Sequence, residues 1–489
     1  MPAVALKGGF YVARSIIANA QRCANLYPEK NPEDSEQPFT MYLTPGLTQL
    51  GVAPNLAAWR GLFLASNGTL YGVCGGIVYA INNAFVFNPL GNITALTTPV
   101  GMRDNGQVLV IVDGSANGWA VNLSNDAFGQ ITDPNFLGST TIDYQDTFFL
   151  LHQPGTNVFY CSLSNCTYAQ LTSSGAFDPT YVAAKTGTPD NISGLIMMNR
   201  NIWLYGTQRD TEVWYNAGNA AFPFAIASGV YIEHGCIAPY SIAKHDLITF
   251  WLSADKDGQC TVFKGTNYAA QRISTGAIAA QLSTYATVTD AIGMTYKQQD
   301  HIFYLLTFPT ANKTWVFDVS ENLWHERFWL DNNGGENRHR ANCIAYAGPG
   351  YGGAVVVGDW QNGALYNFDL NNYTDAGNPI VRRRGFPHFV SDGKRVSYPA
   401  FRADMETGDW NPPATLTVYL RWSDDRGRSW GNPIAQQSPA GISAGSLFQP
   451  KWSQLGMARD RVFELFWSDA VPTALQGAWL DPPPVAAGS

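Results

Sequence analysis

Charge is scarce in this chain. Asp, Glu, Lys and Arg make up only 14% of its 489 residues, against about 25% in an ordinary soluble domain. A net charge of −8 speaks against a protein that wraps nucleic acid, because such binding aims many Lys and Arg at phosphates. It does not exclude DNA passing nearby. Cysteine supplies no framework either. Cys23, Cys74, Cys161, Cys166, Cys236, Cys260 and Cys343 are odd in number and scattered, with no C-x-x-C pair, so they read as reduced core residues. No apolar run reaches membrane length, and the opening "MPAVALKGGFYVARSI" lacks the apolar stretch of a signal peptide. A soluble chain with no membrane span, made in a reducing cytoplasm, is expected.

Catalytic signatures are also missing. There is no P-loop, no G-x-S-x-G and no dinucleotide fingerprint. His152, His234, His245, His301, His325, His339 and His388 show no paired spacing for a metal. We therefore expect no catalytic residue, no metal and no cofactor.

What the chain does have is aromatic residues, 13% of the total, and 47 glycines. Depleted charge with enriched aromatics is the composition of surfaces that meet other protein surfaces, so part of this exterior is expected to be covered in an assembly. The pattern within those residues is a repeat. A short apolar strand ending in Asn recurs as "GIVYAINN", "GWAVNLSN", "NVFYCSLSN", "EVWYNAGN", "TVFKGTN", "TWVFDVSEN" and "ALYNFDLNN" between residues 76 and 372. Each follows a second apolar run across a polar turn, as in "QVLVIVDG" and "TFFLLHQPG". β-Branched and aromatic content argues for strands, and the Gly, Asn and Asp between them supply the turns. The spacing of about 40 to 55 residues leaves room for four short strands, the period of a propeller blade. An all-β protein built on a β-propeller of six or seven blades, over residues 56–375, is expected.

Residues 1–55 are rich in Pro, Gly and Asn and lack periodicity, so they read as an extended arm ordered by lying across the propeller or a neighbouring subunit. Deleting residues 1 to about 25 is expected to stop assembly while sparing the propeller. "TDAGNPIVRRRGFPHF" breaks the pattern and reads as a linker, placed at 376–395. Residues 396–489 then form a β-sandwich-like domain: "TLTVYLRW" alternates, with Leu416, Val418, Leu420 and Trp422 on one face. In the linker region the basic residues Arg382, Arg383, Arg384, Lys394 and Arg395 are candidate contacts to an acidic partner or to DNA. As neighbours on a strand, the three arginines alternate faces and cannot converge on one carboxylate.

"RWSDDRGRSWGN" carries a Ser-x-Asp-x-Gly-x-x-Trp spacing at Ser423, Asp425, Gly427 and Trp430. Asp425 can accept N–H bonds within its own turn, Gly427 can take the positive φ that closes it, Ser423 adds a hydroxyl and Trp430 covers the apolar side. The spacing resembles the Asp-box, a structural turn of sialidases and several other β folds. A sialidase-like or glycan-binding propeller is the enzyme-side alternative, but glycoside hydrolysis needs positioned acids or a Tyr with a carboxylate, and sialic acid needs an arginine cluster. Neither pattern is present.

Taken together, "NLYPE", "YLTPGL", "WLYGTQRDTEVWYNAG" with "FPF", "HIFYLLTFPTANKTWVFD" with "WHER", and the C-terminal "LGMARDRVFELFWSD" resemble the tail hub, or nozzle, proteins of short-tailed bacteriophages. These are also called packaged-DNA stabilisation proteins. The resemblance implies a virion tail component assembled in the host cytoplasm, usually as a ring of six. Its partners would be further copies of itself, the portal and adaptor rings, and a tail fibre, spike or needle protein. Double-stranded DNA would pass through the lumen without sequence-specific binding.

Overall fold

The computed structural model describes residues 10–15, 19–32, 35, 37–255, 257–390, 393–407, 415–439 and 446–481. The apolar runs of the sequence become the strands of small antiparallel sheets. Five of these are free-standing and four-stranded, covering residues 59–92, 101–130, 142–184, 192–226 and 243–272. A sixth four-strand unit spans 292–330, and the seventh joins three strands of 341–369 to one from the N-terminal segment, each continuing into a larger sheet. The described residues thus form seven blades.

Each Asn-ended repeat is the third strand of its blade, and turn chemistry explains why Asn recurs there. The Asn82 side chain accepts the backbone N–H of Ala84 at 3.0 Å and of Val86 at 2.9 Å. Asn122 caps Ser124, Asn216 caps Gly218 and Asn372 caps Thr374 in the same way, each at 3.0 Å. Where Asn has no such bond it takes the left-handed conformation, as at Asn165, Asn267 and Asn322. Blade faces pack on one another through buried aliphatic and aromatic clusters, such as Val110, Leu151, Tyr160 and Phe177 between blades 2 and 3.

Blade 7 takes only three strands from its own stretch of chain. Its fourth, outermost strand is Gly46–Val52, with Leu47 opposite Phe368 and Thr48 opposite Asn367. The segment expected to be an arm therefore closes the propeller from the N-terminal side. Before doing so, it supplies Leu26–Lys30 and Phe39–Leu43 to one sheet of the C-terminal sandwich, beside Thr473–Leu480 and Ala400–Thr407. The second sandwich sheet holds Arg382–Gly385, Asp460–Trp467, Thr417–Ser423 and Ile434–Gln437. Met41, Phe401, Leu420, Trp452, Phe463 and Trp467 fill the space between the sheets. Both ends of the chain build this domain. The linker expected at 376–395 contains the sandwich strand Arg382–Gly385, so no free hinge separates the two bodies at that point.

One sheet joins sandwich to propeller. Cys23–Ala24 pairs in parallel with the outer strand of blade 6 at Glu326, and antiparallel with Arg383 on its other side. A chain of ions crosses this seam. Arg22 binds Glu326 at 2.6 Å and Glu336 at 3.0 Å, Arg383 binds Glu336 at 2.9 Å, and Arg421 binds Glu464 at 2.7 Å. Burial would raise the Glu326 carboxyl, but Arg22 and Lys313 outweigh it and hold it below the usual range.

Candidate functional site

The C-terminal turn forms as its residue types dictate. Ser423 donates to Asp425 at 2.7 Å, Gly427 N–H donates to the Ser423 hydroxyl at 2.8 Å, and Ser429 N–H donates to Asp425 at 2.8 Å. The Ser429 hydroxyl and backbone bonds hold the Asp425 carboxyl well below the ordinary range. Trp430 is half-buried and lies 4.8 Å beneath the Arg421 guanidinium. Gly427 sits at φ +84, and a β-carbon there would come within 2.4 Å of the Ala20 side chain. Gly427→Ala is therefore expected to cost about 2 kcal/mol or more in urea unfolding, combining left-handed strain with a clash. Gly393→Ala, at φ +69 with nothing near it, should cost only about 1 kcal/mol. Equal losses at the two positions would show that the turn does not dock on the N-terminal segment.

The arginine triplet is not a surface patch. Arg382 and Arg384 are fully buried, so neither presents a guanidinium to a partner or to DNA. Arg382 donates to the carbonyls of Asp469 at 2.8 Å and Tyr373 at 3.1 Å. Arg384 lies against Cys23, and Arg383 points the other way, to Glu336 and Glu464. The physical reason is the strand itself, which sends alternate residues to opposite faces inside a covered sheet. Lys394 and Arg395 are exposed.

A deep concavity lies on the propeller axis. It is a well of about 720 Å³ lined by the first strands of the blades. Each of those seven strands is hydrogen-bonded to a blade neighbour on one side only. Side chains tie one inner strand to the next. Asp143 receives Arg103 at 2.8 Å from blade 2, the Met197 N–H at 2.8 Å from blade 4 and Lys244 at 3.2 Å from blade 5. Burial would raise the Asp143 carboxyl, yet Arg103 and Lys244 hold it at about 2. Asn342 of blade 7 donates to Trp59 O of blade 1 at 2.7 Å, which closes the ring.

One end of the well is crossed by a tyrosine. Tyr240, on the 3-10 turn Pro239–Ser241 ahead of blade 5, donates to Asp113 O of blade 2 at 3.3 Å, on the opposite side of the axis. Beside it, buried Arg60 donates to the carbonyls of Thr98 and Thr94 at 2.7 Å and 2.9 Å. The other rim carries cations. Side chains of Arg103, Lys244 and Lys297 are 31%, 33% and 55% exposed, and Tyr346 stands 61% exposed among them. Among the described residues no Asp or Glu lines the well, and no three His, Cys, Asp or Glu gather as a metal set.

Sequence reasoning missed Arg103, Asp143, Tyr240 and Lys244 entirely. They lie on or just ahead of first strands, whereas the detectable repeat marked only second and third strands. The same blindness hid the axial well.

A seven-bladed propeller fused through one sheet to a sandwich, with an axis plugged by its own side chain, belongs to the structural class of propeller proteins. A family model described as "Phage_stabilise: Bacteriophage P22 Gp10, beta-propeller" matches residues 15–373, and the chain belongs to that family. It is a structural component of a bacteriophage particle. Solved structures similar to it include the WD40 β-propeller domain of Doa1, at 9% identity, TM-score 0.40, covering 66% of this chain and 97% of that one. BamB from Moraxella catarrhalis is similar at 9% identity and TM-score 0.39, covering 72% and 95%. The computationally designed Ika8 protein is similar at 10% identity and TM-score 0.37, covering 71% and 100%. No curated protein matches the chain. Among the described residues, no helix is long and apolar enough to cross a membrane.

Proposed function

We propose that this chain is the tail hub, or nozzle, subunit of a short-tailed phage. Copies form a ring, of six, beneath the portal and adaptor, retain the packaged genome and conduct it at ejection. The observation that carries the reading is the family match over residues 15–373. The physical layout supports it. The shared sheet and its ion pairs make propeller and sandwich one stiff strut, which suits head-to-tail packing in a ring. A major groove alone is about 12 Å wide, so a well of 720 Å³ crossed by Tyr240 is no path for duplex DNA. The conduit is the space that several copies enclose. Acidic groups lining that lumen would repel phosphates and let DNA slide. The subunit acts without catalysis, and a fibre, spike or needle protein docks at the distal end.

Electron microscopy of the protein mixed with its portal complex tests this. A ring of six copies on the portal axis is expected. A protein that stays monomeric and leaves portal particles undecorated would refute the reading. A glycan-processing propeller remains the second reading only if a sugar is found bound at the axis.

A further inference from the structure

The axial well belongs to a single copy, whereas the proposed lumen is enclosed by several, and its chemistry does not fit a passive hole. Three observations define it. Its volume, about 720 Å³, falls within the range of small-ligand and peptide pockets, roughly 300 to 1,000 Å³. Its wall is mainly apolar, with Leu62, Val100, Ile142, Ile196, Met294 and Val355 between a few threonines. Its open rim is cationic: Arg103 and Lys244 share a single carboxylate, Asp143, which leaves one positive charge unbalanced in that triad.

The same geometry leaves donors free for a guest. Lys244 gives its Nζ hydrogens to Asp143 and the Met197 carbonyl, and an ammonium has three. Arg103 uses Nε on Asp143 and Nη1 on the Met102 carbonyl, leaving its Nη2 side. Tyr346 adds an exposed ring beside these cations. At the opposite end Tyr240 makes a floor, so whatever enters must stop there.

We propose that this well binds an extended, uncharged-to-apolar peptide segment of another protein, with an Asp or Glu of that segment held at the rim by Arg103 and Lys244. A peptide is favoured over a simple amphiphile because the seven wall strands are all edge strands. Edge strands offer backbone N–H and C=O groups that match peptide amides and have no counterpart on an aliphatic chain; those at Met197, Met102 and Trp59 are taken by side chains, so the guest pairs with the remaining edge positions. The rim carboxylate would replace the balancing charge that the triad lacks.

A display library of random heptapeptides, panned on the full chain, tests the proposal directly. Enriched sequences should share an apolar run flanked by Asp or Glu. A synthetic copy of one such peptide should bind about tenfold more tightly than the same peptide with Gln at the acid, the scale of a lost charge-assisted hydrogen bond. Lys244→Met should weaken the acidic peptide by a similar factor; it also lowers the melting temperature, since Lys244 ties Asp143 to the Met197 carbonyl, so binding is compared at a temperature where both proteins are fully folded. Should Lys244→Met prove unstable, Lys244→Gln, which keeps a donor toward Asp143 while removing the charge, should show the same loss. Failure to enrich any peptide overturns the proposal. So does indifference to the Glu-to-Gln exchange, or octanoate binding where no peptide binds.

Discussion

A chain that starts at residue 53 is expected not to fold. Such a truncation removes Leu26, Tyr27, Phe39, Met41 and Leu47, each with at most 2% of its surface exposed. At about 1.5–3 kcal/mol per buried side chain, the loss is of order 10 kcal/mol, as large as the whole stability of a typical domain, roughly 5–15 kcal/mol. It also strips the ladder partner from Ala364–Asp369 and leaves blade 7 open-edged. Far-ultraviolet circular dichroism and urea unfolding of the 53–489 fragment check this. Co-expressing residues 1–52 should restore a cooperative transition. A fragment that unfolds cooperatively without them would show that the N-terminal strands are an accessory.

Shorter deletions are graded by the same logic. Phe10 packs edge-on against Trp315 at 4.4 Å, and its N–H donates to Trp324 O at 3.0 Å. Loss of Arg22 would leave buried Glu326 with Lys313 as its remaining ion-pair partner. Removal of residues 1–25 therefore weakens the propeller itself, contrary to the expectation that only assembly would suffer; residues 1–9 lie outside the described residues.

The blades were legible because their evidence is local. A strand that ends in Asn and turns on its own side chain announces itself within ten residues, and seven such turns in series imply closure. The arm was unreadable for the opposite reason. Leu47 looks like a coreless residue in "YLTPGLTQLG" because its strand partner, Phe368, is 321 positions away. The arginine triplet looked basic because the carbonyls and carboxylate that receive it, on Tyr373, Asp469 and Glu464, belong to other segments of the chain. Turn chemistry at Asp425 was readable for the same reason as the Asn turns: all its partners lie within four residues. The axial well fared worst, since a rim whose cations Arg103, Lys244 and Lys297 come from three separate blades has no sequence spacing at all.

Acid should unfold this protein, and buried histidines set the threshold. Burial holds His152 down at about 4 and His339, beside Arg327 and Arg340, at about 3. His325 lies well below its ordinary value through burial, reinforced by Arg327. Among the described residues, neither ring nitrogen of His325 has a hydrogen-bond partner. Each folded value lies under that of the unfolded chain, near 6.5, so the unfolded state takes up a proton that the folded state refuses. The stability these groups contribute is full above about pH 6.5 and falls as pH drops toward their folded values. At pH 4.5 the loss is roughly 2–3 kcal/mol for each of His152 and His339, about 5 kcal/mol for the two, and His325 adds to it in the same direction.

Asp375 works in the other direction: burial raises it to about 7 despite Arg382, Arg327 and Arg340. Its folded value exceeds the unfolded one, near 3.9, so its contribution is present at low pH and disappears as pH rises through 7. That offsets about 3 kcal/mol of the acid loss at pH 4.5. The net for His152, His339 and Asp375 is about 2 kcal/mol lost between pH 7 and 4.5, to which His325 adds, enough to lower the urea midpoint. His152→Leu should be near neutral at pH 7 and flatten the acid decline. Asp375→Asn should stabilise the chain at pH 8 and leave that decline steeper than in the wild type. A pH profile unchanged by both substitutions would mean that neither side chain is held in the buried state that the fold imposes.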